Sequence, residues 1–335
     1  MSFFEAARRG DNALYKYILT VIAVFFGALI GQVPLAFVIS MKANKGPEGF
    51  EKIAEFQETM DFSILGIDDN LGLFLMLLSF VSALAVLFLC IITLHGKKAE
   101  DVLTGRPGLD WGRVGFSFVF WFALSVALEV VAYVFDPGNY TWQFNLYHFL
   151  PLLLIALLVL PLQTSFEEVL FRGYLMQGFG LLFRNRWLPL LFTSVAFGLL
   201  HFANKEVGQF GFGLMMAYYI GFGLLMGVLT LMDEGTELAL GLHAATNIYG
   251  ATIVNFEASS IQTPSLFRIQ ELNAGLMLAI ALASGLLFLF VAARRYGWSD
   301  WGKLLSRIEF QEASGAAFPS EERETGPILP GDEEL

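Results

Sequence analysis

Three short segments carry most of the side chains that could do chemistry: Glu167-Glu168-Val-Leu-Phe-Arg172, Phe197-Gly-Leu-Leu-His201 and His243-Ala-Ala-Thr-Asn247. Helical spacing puts Glu168 and Arg172 at i,i+4 on one face, where they can pair. Glu167 points about 100° away on the helical wheel, so it is the carboxylate left without a local partner. In low-dielectric surroundings such a carboxylate suits a general base that activates water near neutral pH. The same charges also read as an interfacial cluster reaching to water. His201 has Phe197 one turn earlier to back its ring, and reads either as a satisfied core histidine or as a functional one. His243 and Asn247 present two donors on one helix face. That suits an oxyanion hole, or hydrogen bonding between helices.

All three segments lie in apolar runs, and those runs set the architecture. The 335 residues are 56% hydrophobic and only 15% charged, with a mean hydropathy of +0.62. Crossing a bilayer takes roughly 20 mostly apolar residues. Such runs occur at Tyr17–Ser40, Leu71–Leu94, Val114–Phe135, from Phe144 past Leu162, Trp187–Phe202, Phe210–Met232, Glu237–Val254 and Ala274–Ala293. The expected fold is an all-α polytopic membrane protein of about eight transmembrane helices, with the catalytic site inside the helix bundle. With the N-terminus cytoplasmic, fifteen lysines and arginines fall on the inner side and five on the outer, a positive-inside bias. Residues 1–16 then form a cytoplasmic N-terminus, 17–308 the eight-span domain, and 309–335 an acidic, disordered cytoplasmic tail. Counted from the cytoplasmic ends, His201 lies 14 residues into its span and His243 about six. On upright helices that is a depth difference of about 12 Å, which tilt or an extended fifth helix must close for the two to share a site.

The net charge of −11 is concentrated in two places. The outer loop 41–70 has three lysines against seven acids, and 309–335 has one arginine against eight acids; the remainder balances. No basic stripe exists, which excludes a nucleic-acid partner. Phe50, Ile53, Ala54 and Met60 are loosely periodic, as in a short interfacial helix. The single cysteine, Cys90, lies in an apolar run and forms neither a disulfide framework nor a zinc cluster. Glu129 is expected to bond to a neighbouring helix or line a cavity. His95 and His148 are expected at the interfaces, and Asp233, Glu234 and Glu237 in a solvated turn.

Taken in order within 81 residues, the three motifs resemble those of the CAAX protease and bacteriocin-processing family of intramembrane endopeptidases. The resemblance implies hydrolysis of membrane-associated or lipidated peptides or proteins. Glu167 would activate a water that His201 helps to hold, and His243 with Asn247 would stabilise the oxyanion. Glu168 and Arg172 would be an ion pair that fixes the helix. Glu167, His201 and His243 could instead ligate zinc. Asn247, a poor zinc ligand and a good oxyanion donor, favours the reading without metal or other cofactor. The expected partners are the substrate and the lipid bilayer, with no nucleic acid, and the expected location is a bacterial inner membrane. His-Glu-x-x-His, Gly-x-Ser-x-Gly and an intramembrane aspartate pair are absent from the sequence, so other intramembrane protease chemistries are disfavoured. The rivals are a transporter, built on the helix interrupted by Pro151 and Pro161, and a non-catalytic scaffold or immunity protein on the same fold.

Overall fold

The computed structural model describes residues 2–43 and 46–310. The tail expected to be disordered lies outside the described residues from position 311 onward. Helices follow one another along the chain: α1 (Phe3–Ala7), α2 (Leu14–Lys42), α3 (Pro47–Thr59), α4 (Asp69–Thr93), α5 (Ala99–Leu103), α6 (Trp111–Phe135), α7 (Leu146–Leu158) and α8 (Leu160–Glu168). A π-helical stretch, Val169–Leu175, leads into α9 (Met176–Phe183), α10 (Trp187–Leu200), α11 (Lys205–Phe210), α12 (Phe212–Asp233), α13 (Glu237–Thr252) and α14 (Ala274–Tyr296). Side chains fix several of the starts: Asp68, Asp110, Asn145 and Asn273 each accept from free backbone N–H groups at the first turn of α4, α6, α7 and α14.

The fold is an all-α polytopic membrane fold, with six helical runs among the described residues long and apolar enough to cross a bilayer. These are α2, α4, α6, the continuous run Leu146–Phe183, α12 and α14. The fifth and seventh expected spans are shorter than the apolar pattern suggests. Helix α10 has 14 residues and α13 has 16, or about 21 and 24 Å against roughly 30 Å of hydrocarbon. Both carry motif residues. Helix α13 has no lipid face to satisfy, because twelve of its residues are buried, and it packs against α6, α7, α8 and α12. Gly241 permits the approach to α6, since a Cβ there would lie 2.1 Å from Val114 O and Ser117 Oγ.

Three short strands also form: β1 (Tyr140–Trp142), β2 (Val254–Phe256) and β3 (Phe267–Ile269). Their order is β1-β3-β2, antiparallel and then parallel, and they cap the end of the bundle where α6 and α13 finish. The interfacial helix expected in the acidic loop is α3, though Phe56 rather than Phe50 turns to the core. Glu129 bonds to the hydroxyls of Tyr140 and Tyr249, tying α6 to β1 and α13.

Two expectations are corrected at the other end. The turn after α12 is not solvated. Asp233 accepts from Arg113 at 2.6 Å and Arg106 at 2.9 Å, and Glu237 accepts from Arg106 at 3.1 Å. Glu234 takes Lys303 at 3.1 Å and the Phe3 N–H at 2.8 Å. Arg106 comes from the loop before α6 and Arg113 from the first turn of α6, both over a hundred residues away, a distance that local spacing cannot reveal. His95 is buried rather than interfacial, with its ring nitrogens on Tyr174 Oη and Asp11 O, both at 2.7 Å.

Candidate active site

The site is built on the bend in the Leu146–Phe183 run. Pro161, which has no N–H to give, sits in the first turn of α8 and interrupts the hydrogen-bond ladder near Val159. Glu167 and Glu168 then occupy the last two positions of α8, where the winding widens into the π stretch, a feature frequent at functional sites. Gly173 lets that stretch pack tightly, as a Cβ there would meet Val102 O at 2.6 Å.

The expected ion pair forms in full burial. Arg172 Nη1 lies 3.0 Å from Glu168 Oε1, with neither side chain exposed. Arg172 Nη2 donates to Gly223 O of α12 at 3.2 Å, and the guanidinium sits 4.3 Å from the Phe197 ring centre. Glu168 has a second role that the spacing does not disclose: its Oε1 also faces His243 Nδ1 at 2.7 Å. A carboxylate can only accept there, so Nδ1 carries the hydrogen. His243 Nε2 is thereby turned to Glu167 Oε2, 3.6 Å away.

Glu167 is not without a local partner, contrary to the helical-wheel expectation. Gln163, one turn earlier, donates from Nε2 to Glu167 Oε1 at 2.5 Å and accepts from Asn247 Nδ2 at 2.9 Å. Sequence reasoning assigned Gln163 no role. Its signal was present, as an amide at i−4 from a glutamate in an otherwise apolar stretch. Glu167 Oε2 remains buried with no hydrogen-bond partner, as does Glu168 Oε2. Glu167, Glu168, Arg172, His243 and, through Gln163, Asn247 thus form one connected cluster across α8, the π stretch, α12 and α13.

His201 stands beside this cluster rather than in it. It caps the end of α10, and its Nδ1 bonds to Phe197 O at 2.7 Å. The carbonyl accepts, so in the neutral ring Nε2 is left as an acceptor. Phe197 backs the ring as expected, 4.6 Å between centres, and on its other side stands 6.0 Å from His243. Tyr219, also missed, stacks on His201 at 4.5 Å and accepts at its hydroxyl from Asn204 at 3.1 Å. One phenyl ring, that of Phe197, thus neighbours both histidines. Among the described residues no three His, Cys, Asp or Glu side chains converge as a metal-holding group. Glu167 and His243 face each other, and His201 does not complete a set with them.

Residues 146–249 match the family described as type II CAAX prenyl endopeptidase Rce1-like. The match covers 104 of the 335 residues. It contains all three motifs, and the family is the one that those motifs resemble, a family of CAAX-type intramembrane proteases. A relative from Bacillus subtilis (strain 168), the uncharacterized protein YyaK, is 29% identical over 297 residues, which cover 87% of this chain and 95% of that protein. No solved structure matches the chain. The apolar helices, together with the match over 146–249, make this an integral membrane protein. The segment begins at α7 and ends inside α13, so α1–α6 and α14 lie outside it.

Proposed function

We propose that the chain is an intramembrane endopeptidase that hydrolyses membrane-associated or lipidated peptides through a water activated by Glu167. The observation that carries this reading is Glu167 Oε2, buried, free of hydrogen bonds and 3.6 Å from His243 Nε2. A neutral His243 with its hydrogen on Nδ1 would turn a lone pair toward a carboxylate oxygen. A second proton, on Nε2, would make His243 a donor on this side.

The steps follow from these roles. Glu167 takes a proton from water, and the hydroxide adds to the substrate carbonyl carbon. His243 Nε2–H and the second N–H of Asn247 stabilise the oxyanion. The intermediate collapses by breaking the C–N bond, and Glu167 returns the proton to the leaving amine. His201, an acceptor at Nε2 in its neutral form, helps to hold the water. Arg172 holds Glu168 in place, and Glu168 keeps His243 oriented. The reading uses no metal, since the donors present do not form a three-ligand set. Fifteen basic residues on one side against five on the other support cytoplasmic termini in a bacterial inner membrane.

The test is cleavage of farnesylated and unmodified CAAX-type peptides by purified protein in vesicles, read by mass spectrometry. Glu167→Gln abolishes product while the protein stays folded, and a strong chelator leaves the wild-type rate unchanged. Full cleavage by Glu167→Gln would overturn the general-base role. Loss of activity in chelator, restored by added zinc, would overturn the metal-free one.

A further inference from the structure

Gln163 joins the two halves of the proposed machinery, the carboxylate that takes the proton and the amide that meets the oxyanion. It is buried on α8, and both ends of its amide are occupied, one by Glu167 Oε1 at 2.5 Å and the other by Asn247 Nδ2 at 2.9 Å. The chain of donors has a direction: Asn247 N–H to Gln163 C=O, then Gln163 N–H to Glu167. Turning the amide over would set its carbonyl against a carboxylate and its NH2 against the Asn247 NH2, so both contacts would become repulsive. A carboxylate only accepts, so its presence fixes the orientation of Gln163, and Gln163 in turn fixes that of Asn247.

Two consequences follow for the reaction. The hydrogen bond at Oε1 leaves Oε2, which faces His243, as the unengaged basic atom of Glu167. The bond at Asn247 uses one of its two N–H groups and leaves the other for a ligand. Contact between α8 and α13 does not depend on this amide, because Leu160 packs with Ile248 and Ala251 in one apolar cluster and Glu168 bonds to His243.

We propose that Gln163 is a positioning residue, which selects Oε2 of Glu167 as the proton acceptor and holds Asn247 with its remaining N–H directed at the developing oxyanion. The inference rests on the Glu167 reading above and extends it to a residue outside the three motifs.

The experiment compares kcat and KM for wild type, Gln163→Met, Asn247→Ala and the double variant on one cleavable peptide, with Glu167→Gln as reference and thermal unfolding as the folding control. Gln163→Met keeps the volume and loses both hydrogen bonds. Its kcat falls by about 10- to 100-fold, the scale of a misplaced catalytic group, while KM changes by less than about twofold because the residue touches no substrate. In the Asn247→Ala background the same change has a smaller effect, since one of the two arms is already gone. Gln163→Asn keeps an amide that is one methylene too short to reach both partners and loses kcat likewise. It carries the test where Gln163→Met does not fold. Wild-type kcat in a folded Gln163 variant, or full additivity with Asn247→Ala, overturns this inference and leaves the Glu167 reading standing. A Glu167→Gln enzyme that still cleaves overturns both.

Discussion

The protein buries acidic clusters in two regions, and they are satisfied to different degrees. At the bundle end that holds the turn after α12, two arginines face two acids. Asp233 has one oxygen on each of Arg106 and Arg113, and Glu237 has one oxygen on Arg106 and the other on the Asp110 N–H at 3.3 Å. Every carboxylate oxygen there is engaged. In the candidate active site one arginine faces two glutamates. Arg172 and His243 both use Glu168 Oε1, and Oε2 of each glutamate is left over. An unsatisfied buried acceptor costs about 1–3 kcal/mol, so natural interiors hold few of them. The clasp at the turn spends its charges on holding α6, α12 and α13 together. The other cluster keeps an oxygen in reserve, which is what a base requires.

The difference can be broken most sharply through activity. Glu167→Gln should lower peptide cleavage by about 10²- to 10⁴-fold, the usual contribution of a general base. Glu237→Gln should leave turnover per folded molecule unchanged and lower the unfolding temperature. Equal rate losses in the two variants would erase the distinction. Stability gives the next largest effect. Arg172→Met leaves Glu168 buried without its cation, and should cost about 3–5 kcal/mol, as removal of one partner of a buried pair does. Thermal or denaturant unfolding in detergent measures it. Arg106→Met should cost less, about 1–3 kcal/mol, because water reaches the Arg106 side chain, which is 23% exposed, and Arg113 remains on Asp233. A larger loss for Arg106→Met than for Arg172→Met would reverse the ranking of the two clusters.

The smallest effect is one of pH. Lys97, just beyond α4, is buried with its ammonium on Ala7 O and Asn12 Oδ1, at 2.8 and 2.7 Å. Burial pushes its pKa down to about 8, from about 10.4 in an unfolded chain. Between those values the unfolded chain binds more protons, so stability rises with pH. Below about pH 8 the whole cost of the buried charge is present. Melting temperatures measured between pH 7.5 and 9.5 should rise more steeply for wild type than for Lys97→Met. Equal slopes would remove Lys97 as the cause.

Much of this was legible in the residues. Apolar runs located the helices, and i,i+4 spacing found Glu168 with Arg172. Phe197 was placed behind His201 by the same rule. What escaped were contacts whose partners are far apart in sequence. Gln163 is the exception: the spacing that separates Glu167 from Arg172 puts this amide at i−4, within reach of the carboxylate. The solvated turn expected at Asp233–Glu237 failed because Arg106 arrives from the loop before α6 and Arg113 from the first turn of α6. The count of about eight spans holds approximately: α13, enclosed by protein, has no lipid face, while α10 keeps an exposed apolar face at Leu191, Phe192, Leu199 and Leu200 on only 14 residues.

The sequence by itself determined a polytopic helical membrane protein and the order of three polar motifs along it, because those depend on local composition and on the 3.6-residue repeat. The tertiary structure decided the remainder: how His243 and Asn247 are turned, and what surrounds the Glu167 oxygen that Gln163 leaves free. The first two are set by hydrogen bonds between α8 and α13, from His243 to Glu168 and from Asn247 to Gln163. Such bonds are directional, short in range and strong where water is excluded. No repeat in the chain encodes them, and they exist only once α8 and α13 have packed.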